Sequence, residues 1–183
     1  AHAANVDVGY PRAETARPMM WVVKDADSTI YLFGSIHVMN SDVVWLTPEV
    51  RQRFDSAQDV WFAVANMDDT AAMQAMAQAY MLDPTSQMTK GLTPDEIARI
   101  NTELSHYGMS TQQLMGMRKW AVGLMLVTQK MQALGYNPAE GVDIQLLHAA
   151  RASGKTVHGF ETGAQQMQAI VPHDDAGELA ALR

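Results

Sequence analysis

Six histidines, no cysteine and a scatter of carboxylates bound the chemistry this sequence can carry. His37 stands apart by its setting: Ile30-Tyr31-Leu32-Phe33 is an apolar, β-prone run, Gly34 follows, and the imidazole arrives three positions later. That order reads as a buried strand delivering one side chain to its carboxyl end, where open α/β sheets keep ligands and metals. Gly34 would allow close backbone approach at the strand's exit. Glu161 closes a second such run, Thr156 to Phe160, so parallel strands would bring His37 and Glu161 to one sheet edge. An imidazole and a carboxylate share a zinc, manganese or similar divalent ion, or pair as base and orienting acid. A catalytic metal centre wants about three protein ligands. Candidates for the third are Asp143, His158, His173 and the residues after Val64. A histidine after a strand also serves as a hydrogen-bonded structural residue, and these residue types alone leave both readings open.

Other chemistries fare worse. No glycine-rich phosphate loop, no Gly-x-Ser-x-Gly elbow and no HExxH pair occurs. Ser35 lies two residues from His37 but is no obvious partner for it at a strand's end. Without cysteine, disulfides, thiol catalysis and cysteine-rich zinc sites are excluded. The 14 methionines fall mostly among alanines and leucines at helical spacing, as flexible core filler and not as a metal store. A haem site using His37 with methionine has no attachment motif behind it. Net charge is −7 with no basic stripe, which argues against nucleic acid as a partner.

The elements that must position these residues are legible in outline. At 183 residues, 48% of them apolar, the chain can bury one sizeable core. Residues 1–18 read as an extended arm and 19–183 as one domain. Met20 to Lys24, a turn at Asp25-Ala26-Asp27-Ser28 and the strand before His37 make a β-hairpin. After an irregular link, Thr47-Pro48-Glu49 starts a helix to about Ala57, and Asp59 to Val64 is the next strand. Thr70 to Leu82 is helical. Thr93 with Glu96 has capping-box spacing for a helix stopped at Gly108. Ser110 is expected to cap a longer helix to about Leu134. Ile144 to Ala152 is a helix ended by Gly154, and Asp174 to Arg183 reads as a last helix without a stop signal. The fold class is therefore α/β: a mixed sheet with a hairpin start, parallel core strands and a helical insertion over about 67–138, serving as a lid or as a layer on one sheet face.

In that order, Met20-Trp21-Val22-Val23, Ser28 to Val38, Trp45-Leu46-Thr47-Pro48, and Gly141 to Gln166 with its Gly154-Lys155 and Phe160-Glu161-Thr162 steps resemble the TraB/GumN family, relatives of the Tiki metalloproteases. The resemblance implies an α/β fold akin to ChaN-like and erythromycin-esterase-like proteins. It implies a divalent-metal hydrolase centre, with manganese, cobalt or zinc, acting on a peptide or small-molecule substrate, in which His37 is ligand or base and Gly34 and Asp143 belong to the motifs. Haem or iron binding, by analogy with the ChaN-like relatives, and a non-catalytic ligand-binding module are its alternatives. It also implies an exported protein, periplasmic or extracellular, to which the small-residue start Ala1-His2-Ala3-Ala4 adds a weak sign. Two departures stand out. The glutamate usual near the end of the second core strand is replaced by Ala63, whose methyl neither binds a cation nor moves a proton. The family's second Gly-x-x-His is absent, and with it the expectation is a chain lacking its C-terminal part, with an exposed sheet edge for pairing with another copy.

Overall fold

The computed structural model describes residue 16 and residues 18–183, so the expected arm over 1–18 lies almost wholly outside the described residues. The chain divides into two compact units, Ala1–Ala65 with Leu134–Phe160, and Asn66–Ala133 with Glu161–Arg183.

The first unit opens with the expected hairpin, β1 (Met20–Lys24) and β2 (Thr29–Phe33), in antiparallel register from Met20 opposite Phe33 to Lys24 opposite Thr29. Its turn is held by Asp25, whose Oδ1 accepts from the Ser28 amide at 2.7 Å and the Ser28 hydroxyl at 2.8 Å. The short β3 (Met39–Asn40) follows, then α1 (Pro48–Ser56), capped by Thr47 and with proline and Glu49 in its first turn as the sequence predicts. β4 (Asp59–Val64) buries Phe62 and Val64 and turns Asp59, Trp61 and Ala63 outward.

Chain order continues through the second unit, with α2 (Thr70–Tyr80), α3 (Pro94–Ser105) and α4 (Lys119–Ala133). It then re-enters the first with β5 (Tyr136–Asn137), α5 (Val142–Ala152) and β6 (Thr156–Glu161). β3 pairs antiparallel with β5, and β4 pairs parallel with β6. The hairpin start, the parallel core pair and the helical insertion are thus present. Among the described residues the strands form three two-stranded sheets, so β4 takes β6 as its neighbour and not β2. Lys155 fastens that pair from below, donating to the carbonyls of Asp55 at 3.1 Å and Ala57 at 2.6 Å, while the Thr156 amide reaches the Gln58 carbonyl at 3.1 Å. Met39, Trp45, Val50 and Val142 form the core of this unit, with Met20 and Phe33 packed against them. On the hairpin's other surface Trp21, Val23, Ile30 and Leu32 stay about half exposed.

The second unit adds α6 (Gly163–Ile170) and α7 (Asp175–Ala180) to α2, α3 and α4. Thr93 and Glu96 form the expected capping box, and Gly108 stops the turn after α3 at φ 70°. The helix expected from Ser110 starts only at Lys119. Ser110 donates its amide and hydroxyl to Gln113 Oε1, and Thr111 donates both to Asn101 Oδ1, which holds 110–117 in turns. The helix begins where a distant carboxylate supplies its cap. Glu178 of α7 accepts from the Trp120 amide at 2.9 Å and from Arg118 Nε at 2.6 Å. Arg118 also reaches the carbonyls of Tyr80 and Pro172, so one buried ion pair ties α2, α4 and α7 together. Among the described residues no helix is long and apolar enough to cross a membrane.

Removing one partner of such a pair strands the other charge. Glu178→Ala is expected to lower unfolding stability by about 3 kcal/mol in urea denaturation. Replacing Arg118 and Glu178 together by apolar residues of similar size should recover part of that loss.

A second expectation concerns acid. Hydrogen bonds from Thr85 and from the Thr85 and Gln87 amides hold the Asp83 carboxyl below its ordinary range, and the Thr93 amide and Arg183 do the same for Glu96. A depressed folded-state pKa gives stability that is present above the unfolded value and lost as pH falls through the folded one. The urea midpoint of the second unit should therefore drop below about pH 4, and Asp83→Asn and Glu96→Gln should each flatten that drop.

Candidate functional site

His37 is placed by a loop that docks onto the start of α5. α5 has Gly141 at its N-cap and no side-chain cap, so its first amides need another acceptor. The Ile36 carbonyl supplies it, accepting from the Val142 amide at 2.8 Å. The next carbonyl, that of His37, lies against Gly141 so closely that a Cβ there would collide with it. The close approach expected at Gly34 therefore falls at Gly141. A Cβ on Gly34 would meet the Met19 carbonyl oxygen only at an ordinary 3.8 Å. Gly34 instead extends the hairpin by one rung, donating its amide to the Met19 carbonyl at 3.2 Å.

This docking puts His37 beside Asp143 in the first turn of α5, where the helix dipole favours a carboxylate. His37 Nδ1 bonds Asp143 Oδ2. The two ends of the pair differ sharply, with the imidazole 73% exposed and the carboxylate 8%. Asp143 Oδ1 is buried and has no hydrogen-bond partner, and Nε2 of His37 has none among the described residues. A buried carboxylate on Nδ1 fixes the ring's orientation and its tautomer, with the proton on Nδ1 and the Nε2 lone pair turned outward. Such a pair can take a proton from a substrate or water at Nε2, or offer Nε2 to a cation, while Asp143 holds the ring.

The remaining candidates each have their own surroundings. Ala63 sits on the outward face of β4 with Asp59 and Trp61, and brings no polar atom. His158 is engaged on that face: Nε2 meets Asp59 Oδ1 at 3.0 Å and the ring stacks on Trp61 with centroids 4.4 Å apart, next to an exposed Phe160. Glu161 belongs to the second unit and accepts from Gln166 Nε2 at 3.2 Å. His173 lines a cavity of the second unit. The partner that the structure gives His37 within its own unit is thus Asp143 and not Glu161. The sequence names Asp143 but gives no spacing that pairs it with His37. The one local sign is Gly141 before it, a glycine at a helix start where Ser, Thr, Asp or Asn would be the usual cap.

His37 and Asp143 are two donors, and no group of three or more histidine or acidic side chains is gathered among the described residues. A catalytic metal centre takes about three protein ligands, a number that His37 and Asp143 by themselves do not reach.

Two variants test this geometry. Asp143→Ala, which removes the acceptor of Nδ1–H, is expected to move the neutral His37 ring toward the Nε2–H tautomer, read from imidazole nitrogen shifts. An unchanged tautomer would contradict the pairing. Gly141→Ala should displace the His37 carbonyl and cost about 1–3 kcal/mol of stability, measured by thermal unfolding.

No curated protein and no solved structure matches the chain. The model of one family does, over residues 19–183, a span that contains the hairpin, the Gly34 to His37 loop, Asp143 and both strands of the parallel pair. The chain belongs to the TraB/PrgY/gumN family.

Proposed function

We propose that the chain is a hydrolase-type domain of this family, acting on a peptide or small-molecule substrate, and that as the sequence stands its centre is catalytically incomplete. The observation that carries the reading is the His37–Asp143 pair, an exposed imidazole held through Nδ1 by a buried carboxylate. That arrangement suits proton transfer at Nε2 better than a structural role, since a structural histidine has no need of an exposed second nitrogen. Incompleteness has its own support in Ala63, a methyl where the family resemblance places a glutamate.

The same methyl favours a second reading, a ligand-binding module that has lost the reaction. Titration with manganese, cobalt and zinc separates the two, using the chain, His37→Ala, Ala63→Glu and the double variant. Under the first reading Ala63→Glu tightens metal affinity at least tenfold, about 1.4 kcal/mol, and His37→Ala in that background removes the gain. Peptide cleavage by the Ala63→Glu variant would follow. If Ala63→Glu leaves metal affinity unchanged, the two positions do not share a centre and the binding module is the better description.

A further inference from the structure

The second unit has an open cavity of about 290 Å³ between the 83–90 loop, the start of α4 and the start of α7. That is near the lower limit of small-molecule sites, about 300 Å³. Most of the charged groups around it are consumed in holding its walls. Asp83 Oδ1 accepts from the Thr85 amide and hydroxyl, and Oδ2 from the Gln87 amide. Asp174 caps α7 through the Gly177 amide at 2.7 Å, and Glu178 is taken by Arg118 and the Trp120 amide.

Lys119 is different. It is only 8% exposed, and its ammonium donates to a single acceptor, the Gln87 carbonyl at 3.2 Å. The loop that presents this carbonyl is itself specified, with Asp83 gathering Thr85 and Gln87 around Ser86 at φ 56°. An ammonium carries three donors, and a buried one is costly unless its charge and its protons are matched. Asp83 on the same wall acts on the Lys119 charge, but one of the three Lys119 donors is used, so two remain for something that enters the cavity. Lys90 lines the same space from an exposed position, with no hydrogen-bonding or ionic partner among the described residues. Leu82 and Met117 supply a short apolar stretch of wall, with Met88 almost fully buried behind it.

We propose that this cavity binds a small organic monocarboxylate, its oxygens on the unused donors of Lys119 with Lys90 at the rim and its short carbon stem against Leu82 and Met117. Lys90, Arg118 and Lys119 offset most of the acidic lining, so a ligand of low negative charge suits the space better than a dianion. Asp83, Asp174, Asp175 and Glu178 also face the space, and each further charge on a ligand meets their repulsion. The apolar wall separates an organic acid from inorganic phosphate, which has nothing to place there. The inference stands apart from the reading of His37.

The test is calorimetric titration of the intact chain with butyrate, with succinate and inorganic phosphate as comparators. Butyrate is expected to bind saturably at one site, with succinate and phosphate at least tenfold weaker. Lys119→Met should weaken butyrate at least tenfold, Lys90→Met severalfold, and His37→Ala not at all. Absence of saturable butyrate binding, phosphate binding as tightly as butyrate, loss of binding in His37→Ala, or unchanged affinity in a folded Lys119→Met overturns the proposal. Should circular dichroism show Lys119→Met unfolded, Lys90→Met decides: weakened binding supports the site and unchanged binding overturns it.

Discussion

The candidate site depends on one constraint, an α-helix that begins on a glycine. Gly141 gives α5 no side chain with which to satisfy its first amides, and buried amides without acceptors are not tolerated. The residue that fails to cap is also the residue that lets another backbone in. The Ile36 carbonyl takes the Val142 amide, and the His37 carbonyl fits only because Gly141 has no Cβ. A side chain able to cap would have blocked the loop that replaces it. Helix start, loop path and imidazole position are therefore one feature, and the pairing of His37 with Asp143 follows from it without any further contact being specified.

What was legible in the sequence was what short-range chemistry dictates. Thr47-Pro48-Glu49 and the Thr93 to Glu96 box start helices where they stand, because hydroxyl, proline and carboxylate act within one turn. The hairpin follows from two apolar runs around Asp25 and Ser28. The family resemblance, carried by the ordered stretches from Met20 to Gln166, is likewise a linear property and is matched by the family assignment over 19–183. What escaped was long-range. Ser110 has the composition of a cap, yet its hydroxyl is spent on Gln113, and the helix that does form is capped from 58 residues away by Glu178. No local rule weighs a carboxylate that arrives from another helix.

The same distinction explains the site. Parallel strands make carboxyl ends converge only when they share a sheet, and β2 and β6 do not, since β2 pairs with β1 and β6 with β4. Pairing His37 with Glu161 requires a continuous sheet, which the described strands do not form. Asp143, by residue type a candidate third ligand, bonds the His37 ring at Nδ1. That difference changes what His37 has to offer. A ligand shared between two first donors leaves each partly satisfied, whereas a ring held through Nδ1 presents an undivided Nε2.

Burial then argues about economy of charge within each unit. Asp143 is a buried carboxylate with one oxygen answered by an imidazole and the other by nothing, and Lys119 is a buried ammonium with one donor answered by a carbonyl. Arg118 and Glu178 show the alternative, a pair in which both guanidinium edges and both carboxylate oxygens are taken by backbone or by each other. Buried charge that serves only to hold a fold tends to be satisfied in that way, because every unmet bond subtracts from stability. Charge left partly unmet persists where something else answers it, such as a substrate, an ion or a ligand. The Arg118–Glu178 pair therefore belongs to the structure, and the open valences at His37–Asp143 and at Lys119 are where we propose that other molecules bind.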